Sequence, residues 1–84
     1  MYTIYLMNRS RDQIIANILA ASTEPIKKTL IMYKANLSFD QLKVYMEYLE
    51  RKQFIHKTEE GLWVTTETGR IFLSQYQLVA SIMA

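Results

Sequence analysis

Residues Asn36 to Ile55, NLSFDQLKVYMEYLERKQFI, specify a helix together with both of its ends, and the other segments have to be arranged around it. Ser38 is followed three residues later by Gln41, the spacing at which each side chain satisfies the other residue's free backbone N–H at a helix start. Leu37 before this capping box and Leu42 one turn in are placed to pack together and set the angle at which the chain joins the helix. Leu42, Tyr45, Met46 and Leu49 recur at i, i+3, i+4 and i+7, which makes one stripe facing a core. The opposite side carries Asp40, Val44, Glu47 and Arg51, with Lys43 and Tyr48 on its flanks. Phe54 and Ile55 then open a short apolar run suited to a strand, so the unit is a helix feeding a β-hairpin.

The chain before this unit reads as two further helices. Ser10 and Gln13 repeat the capping-box spacing, and Ile14, Ile15, Ile18 and Leu19 mark a buried face on a helix from Arg11 to about Ala21. Ser22, Thr23 and Glu24 break it. Pro25 suits the first turn of a second helix, where its missing N–H is not needed, and Ile26, Leu30 and Tyr33 define the expected inward side of that helix. Ala35, Asn36 and Leu37 make a tight link into the capped helix. Residues 1–9 form an N-terminal arm in which Tyr2, Ile4 and Leu6 alternate with Thr3, Tyr5 and Met7, a weak strand pattern.

After it, Phe54–Lys57 and Leu62–Val64 are strand candidates joined by Thr58, Glu59, Glu60 and Gly61, with the glycine suited to a left-handed turn position. Thr65 or Thr66 caps a last helix that carries Ile71, Phe72, Leu73, Tyr76, Leu78, Val79, Ile82 and Met83. Three helices with a tight link between the second and third, followed by a two-stranded hairpin, outline a winged helix-turn-helix. The expected fold is mainly α with a small β-hairpin: an arm at 1–9, the winged domain at 10–64 and a dimerisation helix at 65–84. That last helix is apolar on too many sides for a monomer. Ile71, Phe72, Tyr76, Val79, Ile82 and Met83 are therefore expected to meet a second copy in a symmetric homodimer.

Composition narrows the function classes. At 84 residues a single core is close to the minimum that sustains a fold, which favours supplementation by dimerisation. With no cysteine there is no disulfide framework or thiolate chemistry, and His56 is the only histidine, so no metal site with the usual number of ligands is expected. No glycine-rich phosphate cradle or opposed carboxylate pair is present, so no enzyme, cofactor or small-molecule substrate is expected. No apolar run is long enough to cross a bilayer, MYTIYLM is too short for a secretory signal, and a cytoplasmic location is expected.

A formal charge of +2 permits nucleic-acid binding without requiring it. In the helix-turn-helix context Lys27, Lys28, Lys34, Lys43, Arg51 and Lys57 read as phosphate contacts, and Ser38, Gln41, Val44 and Tyr48 as the residues that reach base edges. Tyr33, Tyr45, Phe54 and Trp63 follow the buried stripes and read as core rather than as stacking platforms. Asp40, Glu47, Glu59 and Glu60 weigh against DNA, and favour as the alternative a winged helix used for binding another protein.

Three segments carry a family resemblance: RSRDQII at the first helix, KKTLIMYKANLSFDQLKVYMEYLERK across the second and third, and TTETGRIFL after the hairpin. From Arg9 to Tyr76 the chain resembles the small archaeal winged-helix DNA-binding proteins that dimerise through an antiparallel coiled coil of their C-terminal helices. The resemblance implies duplex DNA as partner, a nucleoid-associated role in transcription regulation or chromatin, and recognition through residues Ser38 to Tyr48. It also implies that Lys28 and Lys34 lie near phosphates and that the dimer forms from Ile71 onward. The sequence departs from the family at Gln53, where glycine is usual and the turn is expected to be strained or rebuilt, and at Thr65, where an apolar residue is common. Its last helix is expected to span about 17 residues, short for a coiled coil.

Overall fold

A computed structural model describes residues 9–84 of the chain, so the expected arm is represented by Arg9 alone and its other residues lie outside the described ones. Four helices and one hairpin follow in order: α1 (Arg11–Ala21), α2 (Lys28–Ala35), α3 (Phe39–Arg51), β1 (Ile55–Lys57), β2 (Trp63–Thr65) and α4 (Glu67–Met83). This is the expected winged helix-turn-helix with an appended helix.

α1 is the central element. Ser10 accepts a bond from the Gln13 N–H at 3.1 Å and starts the helix, and Ile14, Ile15, Ile18 and Leu19 are all buried. Isoleucine is a mediocre helix former, so this helix is held by the α2, α4 and β2 surfaces packed on it rather than by local propensity. Its end turns onto the hairpin through a buried polar knot. The Ser22 hydroxyl donates to the Ile18 carbonyl at 2.8 Å, Thr65 Oγ1 donates to the Leu19 carbonyl at 2.9 Å, and the two hydroxyls lie 2.8 Å apart. The departure at Thr65 is thereby explained: a buried hydroxyl occupies the apolar position because α1 ends there with carbonyls that need donors.

α2 differs from its sequence reading. Pro25 does not open the helix, because Ile26 exchanges both backbone bonds with Trp63, at 2.9 and 2.8 Å, and is held extended. With Ile26 removed from the helix, the phase counted from it fails. Ile31 and Ala35 are buried instead, whereas Leu30 is 46% exposed and Tyr33 79% exposed, so Tyr33 is not a core aromatic. The helix ends with Asn36 at φ 55°, the Asn36 and Leu37 N–H groups bonding back to Tyr33 and Met32. Arg9 adds its guanidinium to the carbonyls of Ala35 and Asn36 at 2.8 and 2.9 Å.

α3 is the expected helix with both ends in place. Ser38 and Gln41 form the full capping box, and Leu42, Met46 and Leu49 are buried while Tyr45 is half-buried. At its C-terminus Phe54 N–H bonds to the Leu49 carbonyl and Gln53 N–H to Glu50, a six-to-one and five-to-two pair that places Gln53 at φ 63°. The turn is therefore kept and strained rather than rebuilt. Because a side chain costs about 1 kcal/mol in this left-handed region, Gln53→Gly should stabilise the fold by roughly 0.5 kcal/mol after the added freedom of the unfolded chain is deducted. A rise of a few degrees in the thermal midpoint, followed by circular dichroism, is the expected outcome.

β1 starts one residue later than expected and ends where expected, and β2 is shifted by one residue, since Phe54 completes the α3 cap and Leu62 N–H goes to the Thr58 hydroxyl at 3.1 Å. Gly61 at φ 85° closes the Thr58–Gly61 turn. Ile55 pairs with Thr65, His56 with Val64 and Lys57 with Trp63. Thr66 caps α4 by accepting from Gly69 N–H at 3.1 Å, and Gly69 and Leu73 bury the start of that 17-residue helix.

Candidate nucleic-acid interface

The rigid ends of α3 fix which of its side chains are free to meet a partner. Asp40, Lys43, Val44, Glu47 and Arg51 are all exposed, with Val44 at 64%, so the side opposite the core stripe is uncovered by any described residue. Ser38 and Gln41 are exposed but already engaged with each other. The Gln41 Oε1 accepts from Ser38 N–H at 3.0 Å, which leaves its amide NH2 as the group available to a base edge. While the cap holds, Gln41 can donate to an acceptor such as a guanine or adenine N7, but the paired donor and acceptor of a bidentate adenine contact would require opening the box. Phe39, the first residue of α3, is 66% exposed, a feature the sequence reading did not single out.

Backbone pairing ties the segment before α2 to the hairpin. Trp63 pairs with Lys57 on one side and with Ile26 on the other, so Lys57, Trp63 and Ile26 form one row across three chain segments. Adjacent segments of such a row are separated by about 5 Å. Lys27 follows Ile26 directly, occupies the N-cap of α2 and makes no side-chain capping bond, and Lys28 is the first residue of the helix. An uncapped helix start with two adjacent lysines and free N–H groups is suited to an anion. Lys34 lies in the last turn of α2 and is exposed, as are Lys27, Lys43 and Lys57; Lys28 is half-buried.

The family model described as winged helix-turn-helix matches residues 8–84. The chain belongs to that family. It is also similar, at 36% identity over 78 residues, to an uncharacterized protein of Methanocaldococcus jannaschii; the match covers 92% of this chain but only 36% of that relative. Among solved structures, Sso10a-2, a DNA-binding protein from Sulfolobus solfataricus, superposes with a TM-score of 0.80 over 89% of this chain and 82% of its own. At 20% identity that likeness establishes a shared fold.

Within this winged helix, Tyr48 has an environment that the sequence did not disclose. The half-buried ring has the Arg11 guanidinium 5.7 Å from its centroid, the Arg51 guanidinium at 5.9 Å and the Lys52 ammonium at 5.8 Å. Lys52 lies four residues on from Tyr48, a spacing that could have signalled the contact. Arg11 comes from the start of α1 and had no such signal.

The helix appended to the winged domain has some apolar residues docked and others exposed. Phe72 and Tyr76 are half-buried, with the Phe72 ring centroid 5.4 Å from Phe54 in a tilted pair and 6.5 Å from Tyr76 in a stacked one. Ile71, Leu78, Val79, Ile82 and Met83 are exposed, Ile82 at 73%. A shallow groove lined by Asp12, Phe72, Gln75, Tyr76 and Val79 runs between α4 and α1. Among the described residues no helix is long and apolar enough to cross a membrane, and no group of three His, Asp or Glu side chains is placed to hold a metal.

Proposed function

We propose that the chain binds double-stranded DNA as a homodimer, with α3 in the major groove, in a transcription-regulatory or chromatin-associated role on the nucleoid. The observation that carries this reading is the uncovered outer face of α3, fixed at both ends and bordered by Lys43 and Arg51. The description of Sso10a-2 as DNA-binding supports it. Lys27, Lys28, Lys34, Lys43, Arg51 and Lys57 supply phosphate contacts, whose release of counterions gives most of the non-specific affinity. Ser38 and Gln41 approach base edges as donors, and Val44 offers an apolar contact to a thymine methyl group.

Fluorescence anisotropy on a random duplex of about two helical turns tests the reading, because each phosphate contact contributes about 0.9 to the slope of log K against log salt. A steep slope is expected. Absence of binding at low salt would instead favour the second reading, a protein-binding surface centred on Val44 and Tyr48, which the exposed carboxylates of Asp40, Glu47, Glu59 and Glu60 support.

The dimer would form through Ile71, Val79, Ile82 and Met83, with Phe72 and Tyr76 at the root of the seam and Leu78 added to the earlier set. Val79→Glu with Ile82→Glu should yield monomers by light scattering. DNA affinity should fall at least tenfold with them, because the second recognition helix no longer binds as an intramolecular partner. An unchanged dimer would remove α4 from the assembly.

A further inference from the structure

We infer that Arg11, Arg51 and Lys52, gathered on the Tyr48 ring, form a phosphate clamp that extends the DNA-contacting surface from α3 onto the start of α1, with Tyr48 as its positioning residue. The inference rests on the DNA-binding reading and adds two contact residues, Arg11 and Lys52, and a different role for Tyr48.

Three cations lie within 6 Å of one ring centroid, so no two of them are more than about 12 Å apart, a separation at which like charges still repel at low salt. The negative face of the ring offsets some of that repulsion, at the modest strength of cation–π contacts near a surface. Carboxylates offset the rest only weakly. Among the described residues the one ion pair involving these cations is Arg11 Nε with Asp12 at 3.9 Å, both side chains more than half exposed, a pair of little energetic value. Residues 1–8 contain no Asp or Glu that could supply another. Glu47 and Glu50 are close in sequence to Arg51 and Lys52 but make no ion pair with them within 4 Å.

The arrangement therefore holds an excess of positive charge at one place in a chain whose net charge is only +2. Two of the three groups are guanidiniums, which bind phosphate oxygens in a forked geometry. The location fits a backbone contact better than base reading. Tyr48 is one turn beyond Val44 toward the C-terminal end of α3, whereas base edges are met by the N-terminal half of a recognition helix. A row of phosphates beside the groove would pass between that end and the first turn of α1.

The test is anisotropy on the random duplex at several salt concentrations, with thermal melting of every variant to confirm folding. Arg11→Gln with Lys52→Gln should lower the salt slope by about 1.8 and weaken binding at least tenfold at about 0.1 M salt. Tyr48→Leu should weaken binding about threefold at an unchanged slope, since the charges remain but lose their support, and Tyr48→Phe should restore the affinity. An equal loss in Tyr48→Phe and Tyr48→Leu would assign the residue to a hydroxyl contact and overturn the positioning role. A steep wild-type slope left unaltered by the Arg11 and Lys52 changes would overturn the clamp while leaving DNA binding intact. A wild-type protein that fails to bind would overturn the DNA reading itself.

Discussion

Gly69→Ala should lower the thermal midpoint by roughly 8–16 °C, although alanine is the better helix former. Gly69 lies in the first turn of α4, where exchanging glycine for alanine would ordinarily gain about 1 kcal/mol. Here the added methyl group would overlap the Phe54 carbonyl oxygen and come within 2.7 Å of Thr65 Cγ2. Neither can yield cheaply. The Phe54 oxygen accepts the Thr66 N–H at 3.0 Å, and Thr65 is pinned by its buried hydroxyl bonds. Overpacking of this kind costs about 3 kcal/mol, which outweighs the propensity gain, and in a domain of this size each kcal/mol shifts the midpoint by roughly 4–8 °C. Gly61→Ala is the control, since nothing lies within 4 Å of its added methyl and only its φ of 85° opposes it. It should cost about 1 kcal/mol. A Gly69→Ala protein melting with the wild type would mean that α4 does not dock as closely as described.

Replacing Lys28, Lys34 and Lys43 together with alanine should reduce affinity for every duplex by a similar factor, on the order of a hundredfold at about 0.1 M salt. The slope of log K against log salt should fall by about 2.7, because three phosphate contacts would be lost. Similarity across sequences is the diagnostic part of the result, since phosphate contacts position the protein without reading bases. A loss confined to certain sequences would place these lysines at base edges. Affinity left intact in the triple variant and lost in Arg11→Gln with Lys52→Gln would move the docking surface from α2 toward α1. The three substitutions remove solvent-facing charge, so the melting midpoint should change little; Lys28, which is half-buried, is the position to watch.

Much of the architecture could be read from local chemistry. The Ser38–Gln41 capping box, the stripe through Leu42, Met46 and Leu49, the Gly61 turn and the Thr66 cap are interactions within a few residues, so the sequence contains both partners of each. The positive φ at Gln53 was also foreseeable, because the fold demands a left-handed residue there whatever the side chain. What failed was phase where local signals were weak. Ile26, Leu30 and Tyr33 form a plausible helical stripe, and nothing local reveals that the backbone of Ile26 is engaged by Trp63, far along the chain.

By itself, then, the sequence determined the helix limits of α1 and α3, the turn between α2 and α3 and the hairpin, all of which depend on periodicity, caps and turn residues acting over one or two turns, whereas the family was legible only through the resemblance of three segments. The tertiary structure alone decided which face of α2 is buried, why Thr65 is polar, why Gly69 admits no side chain, and which cations surround Tyr48. Each of these depends on two segments distant in the chain meeting at atomic distance: Ile26 with Trp63, Ser22 with Thr65, Phe54 with Gly69, Arg11 with Tyr48. Periodicity tells a residue which way to face, but only packing supplies the partner it finds there.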